Sequence, residues 1–319
     1  MVRILSIQSH VTYGYVGNRA AVFPLQLLGY DVDVINTVSF SNHTGYPTVA
    51  GTKLSPSDFN ALVDGLRSNS LDTTYTHILT GYIGAPSLLQ AVLDFVRRMK
   101  MMYPEVTYVC DPVCGDEGKL YVSPECVPLL RELLSLADIV RLNNFELQVL
   151  SGLLDKIDSL EVLNSALDLL HQKAPHHVQT LLVSTTTKQT NDFLDVVVST
   201  VTGARYRVQT PRLPCYFTGA GDLFTALFLG YVLKHSSVVR AAERAVSALF
   251  SVCEETFGHY QKEKTDSCSV SQDWALRELR LGPGIPWLLR LAEQSDEIEI
   301  LTGRKLFRAI ELCVPPDIS

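Results

Sequence analysis

The chain has little charge, and less of the positive sign than of the negative. Of its 319 residues 19% are charged, and 27 Lys and Arg stand against 34 Asp and Glu, for a formal net charge of −7. Nucleic-acid binders usually carry a basic excess or a basic run, and this sequence has neither. An acidic chain that binds an anion must therefore use local devices: helix N-termini, backbone amides or a metal. No apolar run reaches the ~18 residues needed to span a bilayer, so no membrane span is expected. The first residues, MVRILSIQSH, read as a strand and not as a signal peptide. Cysteines are few and uneven: seven, spread from Cys110 to Cys313, a usage that argues for reduced thiols in a cytoplasmic setting. Cys110 and Cys114 lie four apart with no second pair of suitable spacing, so buried thiols are expected there and not zinc. Also missing are the G-x-x-x-x-G-K-[ST] phosphate loop and the H-R-D and D-F-G pair of protein kinases. Tandem repeats and low-complexity tracts are absent.

What is present is a hydrophobic content of 46% in a length that suits one large α/β domain or two small ones. Short β-rich runs at 2–7, 30–37, 76–82, 106–112, 138–143 and 179–185 alternate with helical patterns at 19–29, 55–68, 85–100, 123–137, after 143 and at 160–171. That alternation predicts parallel strands joined by crossover helices, an open sheet with helices on both faces. DFLDVVVST and ARYRVQTP then predict a hairpin. Ligands in such sheets sit beyond the carboxyl ends of the strands. The polar and glycine-bearing segments fall there: QSHVTYGYVGN, TGY, DPVCGD, RLNNFE and STTT. Past residue 258 the sequence turns polar, QKEKTDSCSVSQD, with further helices expected but no role assigned.

The segment FTGAGDLF (217–224) opens an apolar helical run, LFTALFLGYVLKH. Gly219 and Gly221 permit a tight turn and close approach of a ligand to the main chain. A buried helix starting there leaves its first amides without partners, which an anion would satisfy. Asp222 at the same end either caps the helix or accepts a proton from an alcohol attacking a phosphorus. Asp111, Asp116 and Glu146, at other strand ends, are oxygen donors suited to Mg²⁺, directly or through water, or else turn and cap residues. Tyr82 offers a flat face for a ring, or ordinary packing, and Ser9 and Thr44 offer hydroxyls. His10 and His43 read as histidines satisfied within loops, and His176 and His177 as exposed.

Taken in order, LSIQSHVTYGYVGNRAAVFPLQLLG, FSNHTGY, LTGY, CDPVCGD, NNFELQVLSG and GAGDLF resemble the pyridoxal kinase family of the ribokinase-like superfamily, over roughly residues 2 to 255. The resemblance implies a single ribokinase-like domain over 1–319, with the last 60 or so residues poorly matched. It implies ATP-dependent phosphorylation of the 5′-hydroxymethyl group of pyridoxal and related B6 vitamers by a cytoplasmic homodimer that uses Mg²⁺ and is helped by K⁺. By position, Ser9, Thr44 and Tyr82 match residues that hold the pyridine ring, and Asp222 matches the base. Gly219, Ala220 and Gly221 match the anion hole. Asp111, Asp116, Asn143 and Glu146 match the phosphate and metal network, with Asp116 and Glu146 on the metal. Ser184 and Thr185 match residues near the nucleotide, and Tyr121 follows a loop that covers ATP.

Three departures stand out. The family often has TPN where this chain has RLN (141–143), a longer stretch where it has EGKL, and threonine where Ala220 stands. Arg141 is expected to reach a phosphate oxygen in place of the threonine hydroxyl, its alternative being to swing into water. Two rivals remain open: a hydroxymethylpyrimidine-type kinase, which FSNHTGY disfavours, and a catalytically weak homologue that binds B6 or a protein partner, which RLN keeps alive.

Overall fold

The computed structural model describes residues 1–173, 178–185, 192–266, 279 and 307–312. Its centre is a sheet of ten strands among the described residues, six of them parallel. β1 (Arg3–Val11) lies between β2 (Asp31–Phe40) and β4 (His77–Thr80); beyond β4 follow β5 (Thr107–Cys110), β8 (Ile139–Asn143) and β9 (Thr180–Thr185). Antiparallel strands close both edges. β10 (Phe193–Thr200), β11 (Arg205–Pro211) and β12 (Ala309–Glu311) continue past β9, and β3 (Gly51–Lys53) covers β2. A separate ribbon pairs β6 (Gly115–Asp116) with β7 (Lys119–Leu120).

The helices are α1 (Asn18–Leu27), α2 (Pro56–Ser68), α3 (Pro86–Met102), α4 (Cys126–Ser135), α5 (Asn144–Ser151), α6 (Leu160–Lys173), α7 (Ala220–His235) and α8 (Val238–Asp266). They cover both faces, and the strand residues show it by alternation. Leu5, Ile7, Ile78, Tyr108, Cys110, Val140, Leu142, Leu181 and Val183 point into the core under α2 to α6. Ile4, Leu79, Val109, Ile139 and Leu182 point into the core under α1, α7 and α8. A parallel strand buried on both faces needs apolar residues at every position, which is why these strands read as unbroken hydrophobic runs.

The expected open sheet and hairpin are both found, with boundaries moved by local chemistry. Ser55 caps α2, its hydroxyl accepting from the Asp58 amide at 3.1 Å. β5 stops at Cys110 because Pro112 has no N–H for the ladder. α4 starts at Cys126, three residues later than the sequence pattern suggests, with Pro124 in the preceding turn. His176, His177 and the end of STTT lie outside the described residues.

Strand order reverses at β1: the chain leaves it for β2 on one side and then returns to β4 on the other, all three strands being parallel. Such a switch point opens a crevice beyond the carboxyl ends of the two strands. The loop after β1, Gly81 to Ile83 after β4 and the start of α7 all meet there.

Candidate active site

The crevice is built on a contact between residues 205 positions apart. The Gly17 amide donates to Asp222 Oδ2 at 2.8 Å. Gly17 itself is pressed onto Ser9 so closely that a Cβ would collide with the Ser9 carbonyl and hydroxyl oxygens, and its φ of +53° is in the left-handed region. Ser9, buried at the end of β1, is thereby tied through one glycine to Asp222 in the first turn of α7. Gly219 precedes α7 with φ +89°, and a Cβ there would strike the Tyr15 carbonyl oxygen. From Leu223 to Tyr231 every residue of α7 is buried; at its half-buried start the Ala220 amide donates to the Phe217 carbonyl at 3.3 Å, while the amides of Gly221 and Asp222 have no carbonyl one turn back within the helix. Burial, followed by the charge of Asp111, raises the Asp222 carboxyl to a pKa of about 6, against the pull of the Gly17 amide and Arg141.

On the β4 side, Tyr82 is half-buried, burial raises its pKa, and its main-chain oxygen accepts from Thr37 Oγ1 at 2.8 Å. Thr44 stands exposed on the loop between β2 and β3. The same loop places Tyr46 edge-on to Tyr13 with ring centroids 6.5 Å apart and packs it on His43. His43 Nδ1 accepts from the Gly45 amide at 3.1 Å. His10 is at the end of β1, a strand residue and not the loop residue expected, and burial followed by Arg19 lowers its pKa.

On the far side, five expected residues form two groups, Asn143 with Glu146 and Asp111 with Arg141 and Ser184. Asn143 and Glu146 make a reciprocal capping box at the start of α5: Asn143 Oδ1 accepts from the Glu146 amide at 2.8 Å and Glu146 Oε2 from the Asn143 amide at 2.9 Å. Glu146 Oε1 accepts from the Cys114 amide at 3.2 Å, and Asn143 Nδ2 donates to the Gly115 carbonyl at 2.8 Å. Both residues thus fix the DPVCGD turn against α5. Arg131 donates to the Val149 and Leu150 carbonyls and Lys173 to that of Ser151, so cations hold the other end of α5. Asp111, 1% exposed, accepts at Oδ2 from Thr225 Oγ1 at 2.6 Å and lies 3.7 Å from Arg141 Nη1 through Oδ1. Arg141 Nη2 donates to Ser184 Oγ at 3.0 Å. The Arg141 side chain is 12% exposed, so it turns inward and not into water. Burial raises the pKa of both Asp111 and Glu146, with Arg141 opposing. Thr185 is buried with an unpartnered hydroxyl.

Asp116 and Tyr121 are joined by a residue the sequence did not mark. Tyr216, three positions before Gly219, donates to Asp116 Oδ2 at 3.2 Å and also hydrogen-bonds to Tyr121. Thr225 was missed as well, although it is the one hydroxyl in the apolar run LFTALFLG. Among the described residues no three His, Cys, Asp or Glu side chains form a ready metal cluster. The donors present are oxygens, and Asp111 Oδ1 is buried without a hydrogen bond. That arrangement fits Mg²⁺, which keeps several waters and takes only one or two carboxylates beside phosphate oxygens. Glu146 has both oxygens engaged by amides, so its contribution would run through charge or water. Cys110, Cys114, Cys126 and Cys253 are buried thiols.

Comparison with known proteins matches residues 26–264 to a family model described as phosphomethylpyrimidine kinase. A pyridoxal kinase of Arabidopsis thaliana is 43% identical over 280 residues, 84% of this chain and 87% of that protein. The chain is a member of the pyridoxal kinase family. The human pyridoxal kinase is 40% identical over 311 residues, 93% of this chain and 95% of its own length. The Leishmania donovani pyridoxal kinase, solved with ADP and ginkgotoxin, superposes with a TM-score of 0.82 at 31% identity, covering 98% of this chain and all of that one. The fold is that of these kinases. Among the described residues no helix is long and apolar enough to cross a membrane.

Proposed function

We infer that the chain is an ATP-dependent kinase that phosphorylates the 5′-hydroxymethyl group of pyridoxal and related B6 vitamers. The observation that carries this reading is the Gly17–Asp222 contact. It sets a carboxylate with a raised pKa between the loop after β1, whose Gly17 is pressed onto Ser9, and the N-terminus of α7. The family's relatives, some solved with ADP and pyridoxine or pyridoxamine, supply the substrate class.

Ser9, Thr44 and Tyr82 face the vitamin ring and its substituents, with the Tyr13–Tyr46 pair at the rim. Asp222, ionised at neutral pH, accepts the proton of the attacking hydroxyl; the Gly17 amide fixes which oxygen turns toward it. The amides of Gly219, Ala220 and Gly221 meet the charge that develops on the moving phosphoryl group. Asp111, Asn143, Ser184, Thr185, Tyr121 and Arg141 line the nucleotide side, where Arg141 offers a charged donor to a phosphate oxygen. Asp116 and Asp111 would hold Mg²⁺, with Glu146 acting through water; when bound, that ion supplies neutralisation of charge on the ATP phosphates. The relatives' family resemblance also supports a homodimer helped by K⁺ in the cytoplasm.

Purified protein with MgATP should release ADP in a pyridoxal-dependent manner, with pyridoxal 5′-phosphate as product. Hydroxymethylpyrimidine belongs in the same substrate panel, because the family model carries that description. Turnover of the pyrimidine in preference to pyridoxal would reassign the substrate. Tight pyridoxal binding without ADP release would make the chain a binding homologue.

A further inference from the structure

Arg141 is closer to the reaction centre than holding ATP requires. A Cβ added at Gly221 would stand 2.6 Å from Arg141 Nη1 and 3.1 Å from Cζ. The guanidinium therefore lies on the main chain of the first turn of α7, in space that a glycine leaves open. A cation at the positive end of a helix is unfavourable by itself. Here Asp111 offsets it at 3.7 Å and Ser184 accepts one hydrogen bond. These contacts use little of the group, which has five N–H donors. Its Nε is buried without a hydrogen bond, and so is Asp111 Oδ1. Burial would loosen the arginine's hold on its proton, but Asp111, Glu146, Asp222 and Asp116 together more than reverse that. One guanidinium thus serves four carboxylates while lying on the main chain at Gly221, in the first turn of α7. An anion seated between guanidinium and amides would complete both.

We propose that Arg141 is a catalytic residue whose guanidinium contacts the phosphoryl group in flight, and not the phosphates that stay behind on ADP. This rests on the kinase reading above. Asp222 follows Gly221 in sequence and receives the proton of the attacking oxygen. The phosphorus under attack must lie within bonding reach of that oxygen, hence at the first turn of α7, where Arg141 is. In the transfer, the bond from the terminal phosphorus to the bridging oxygen breaks and its electron pair goes to ADP. A new phosphorus–oxygen bond forms to the 5′ oxygen, whose proton goes to Asp222. The charge spread over the three equatorial oxygens is then met from one side by the amides and from the other by Arg141. Until ATP arrives, Asp111 holds the guanidinium in place.

The test separates the moving group from the remaining nucleotide. Arg141→Met should lower kcat by about 10²- to 10³-fold, while the Kd for MgADP and the KM for pyridoxal stay within about threefold. Arg141→Lys, which keeps charge but not the planar fork, should lose at least about tenfold in kcat, and it carries the test if the methionine variant does not fold. Orthovanadate bound with MgADP, standing in for the phosphoryl group, gives a readout that needs no vitamin turnover: wild type should bind it and Arg141→Met should not. A wild type that binds orthovanadate through Arg141 yet releases no ADP with pyridoxal would refute the substrate reading and leave this one standing. A folded Arg141 variant with kcat within threefold of wild type or above it overturns the proposal. So does a loss of MgADP affinity that equals the loss in kcat, or orthovanadate binding indifferent to Arg141.

Discussion

Replacing Asp222 by Asn separates what this carboxylate does for the reaction from what it costs the fold. The amide can still accept from the Gly17 N–H, now 2.8 Å from Oδ2, so the loop after β1 should stay in place. It cannot take a proton from an alcohol, and general base catalysis typically contributes ~10²- to 10⁴-fold; kcat should fall by that much while pyridoxal still binds. Stability should move the other way. Ionising Asp222 in the folded chain, with a pKa of about 6 against an ordinary 3.8, costs about 1–3 kcal/mol, the upper figure from about 1.4 kcal/mol per unit and the lower allowing for solvent at a partly exposed carboxylate. The sign follows from the direction of the shift. Below pH 4 the group is protonated in both folded and unfolded chains and the variant gains nothing. Between pH 4 and 6 the unfolded chain ionises first, so wild type loses stability and Asp222→Asn does not. Above 6 the difference is constant. Thermal melts at pH 4 and pH 8, run beside a pyridoxal-dependent ADP-release assay, read both effects. Turnover within about threefold of wild type would reduce Asp222 to a helix cap. A variant no more stable than wild type at pH 8 would show that the carboxylate carries no strain.

The same pKa sets the acid limb of the activity: kcat/KM should fall about tenfold per pH unit below 6, and a limb centred near 4 would contradict the burial of Asp222. Glu146→Gln leaves either the Asn143 or the Cys114 amide facing an NH₂, so it should cost about 1–3 kcal/mol in a urea melt and raise the Mg²⁺ needed for half-maximal rate; an unchanged melt would mean the fold does not depend on these two bonds. Gly219→Ala puts a Cβ into the Tyr15 carbonyl at φ +89°, so soluble protein should drop and the residue recovered should lack turnover; wild-type kinetics would show that the turn before α7 is soft.

The sheet was legible because its strands are apolar on both faces, a pattern that the runs ILSI, HILT and TLLV display without ambiguity. The short helix after 143 was legible too, but its reciprocal Asn143–Glu146 capping box and the left-handed Gly152 (φ 75°) that closes it come from the structure. Less legible was everything that depends on two segments meeting. Arg141 could point to water or inward, and only the gap over Gly221 decides. Tyr216 is a lone aromatic in a loop until Asp116 and Tyr121 are seen beside it. The two-residue strands β6 and β7 are too short to show a period, and α8 begins within sequence whose pattern suggested no helix of that length.

Gly17 and Asp222 meet across 205 residues, and that distance governs when the enzyme becomes an enzyme. The first strand, its loop and α1 emerge early from the ribosome, yet α1 packs on α7, with the Tyr30 hydroxyl bonded to the Gly230 carbonyl at 3.0 Å. α7 is made only after all six parallel strands. Contacts so remote in the chain form late, because the loop they close must first be paid for in entropy. A refolding chain should therefore regain helix signal before it regains turnover, and a nascent chain stopped ahead of residue 219 would hold Ser9 and Gly17 with no Asp222 to meet them.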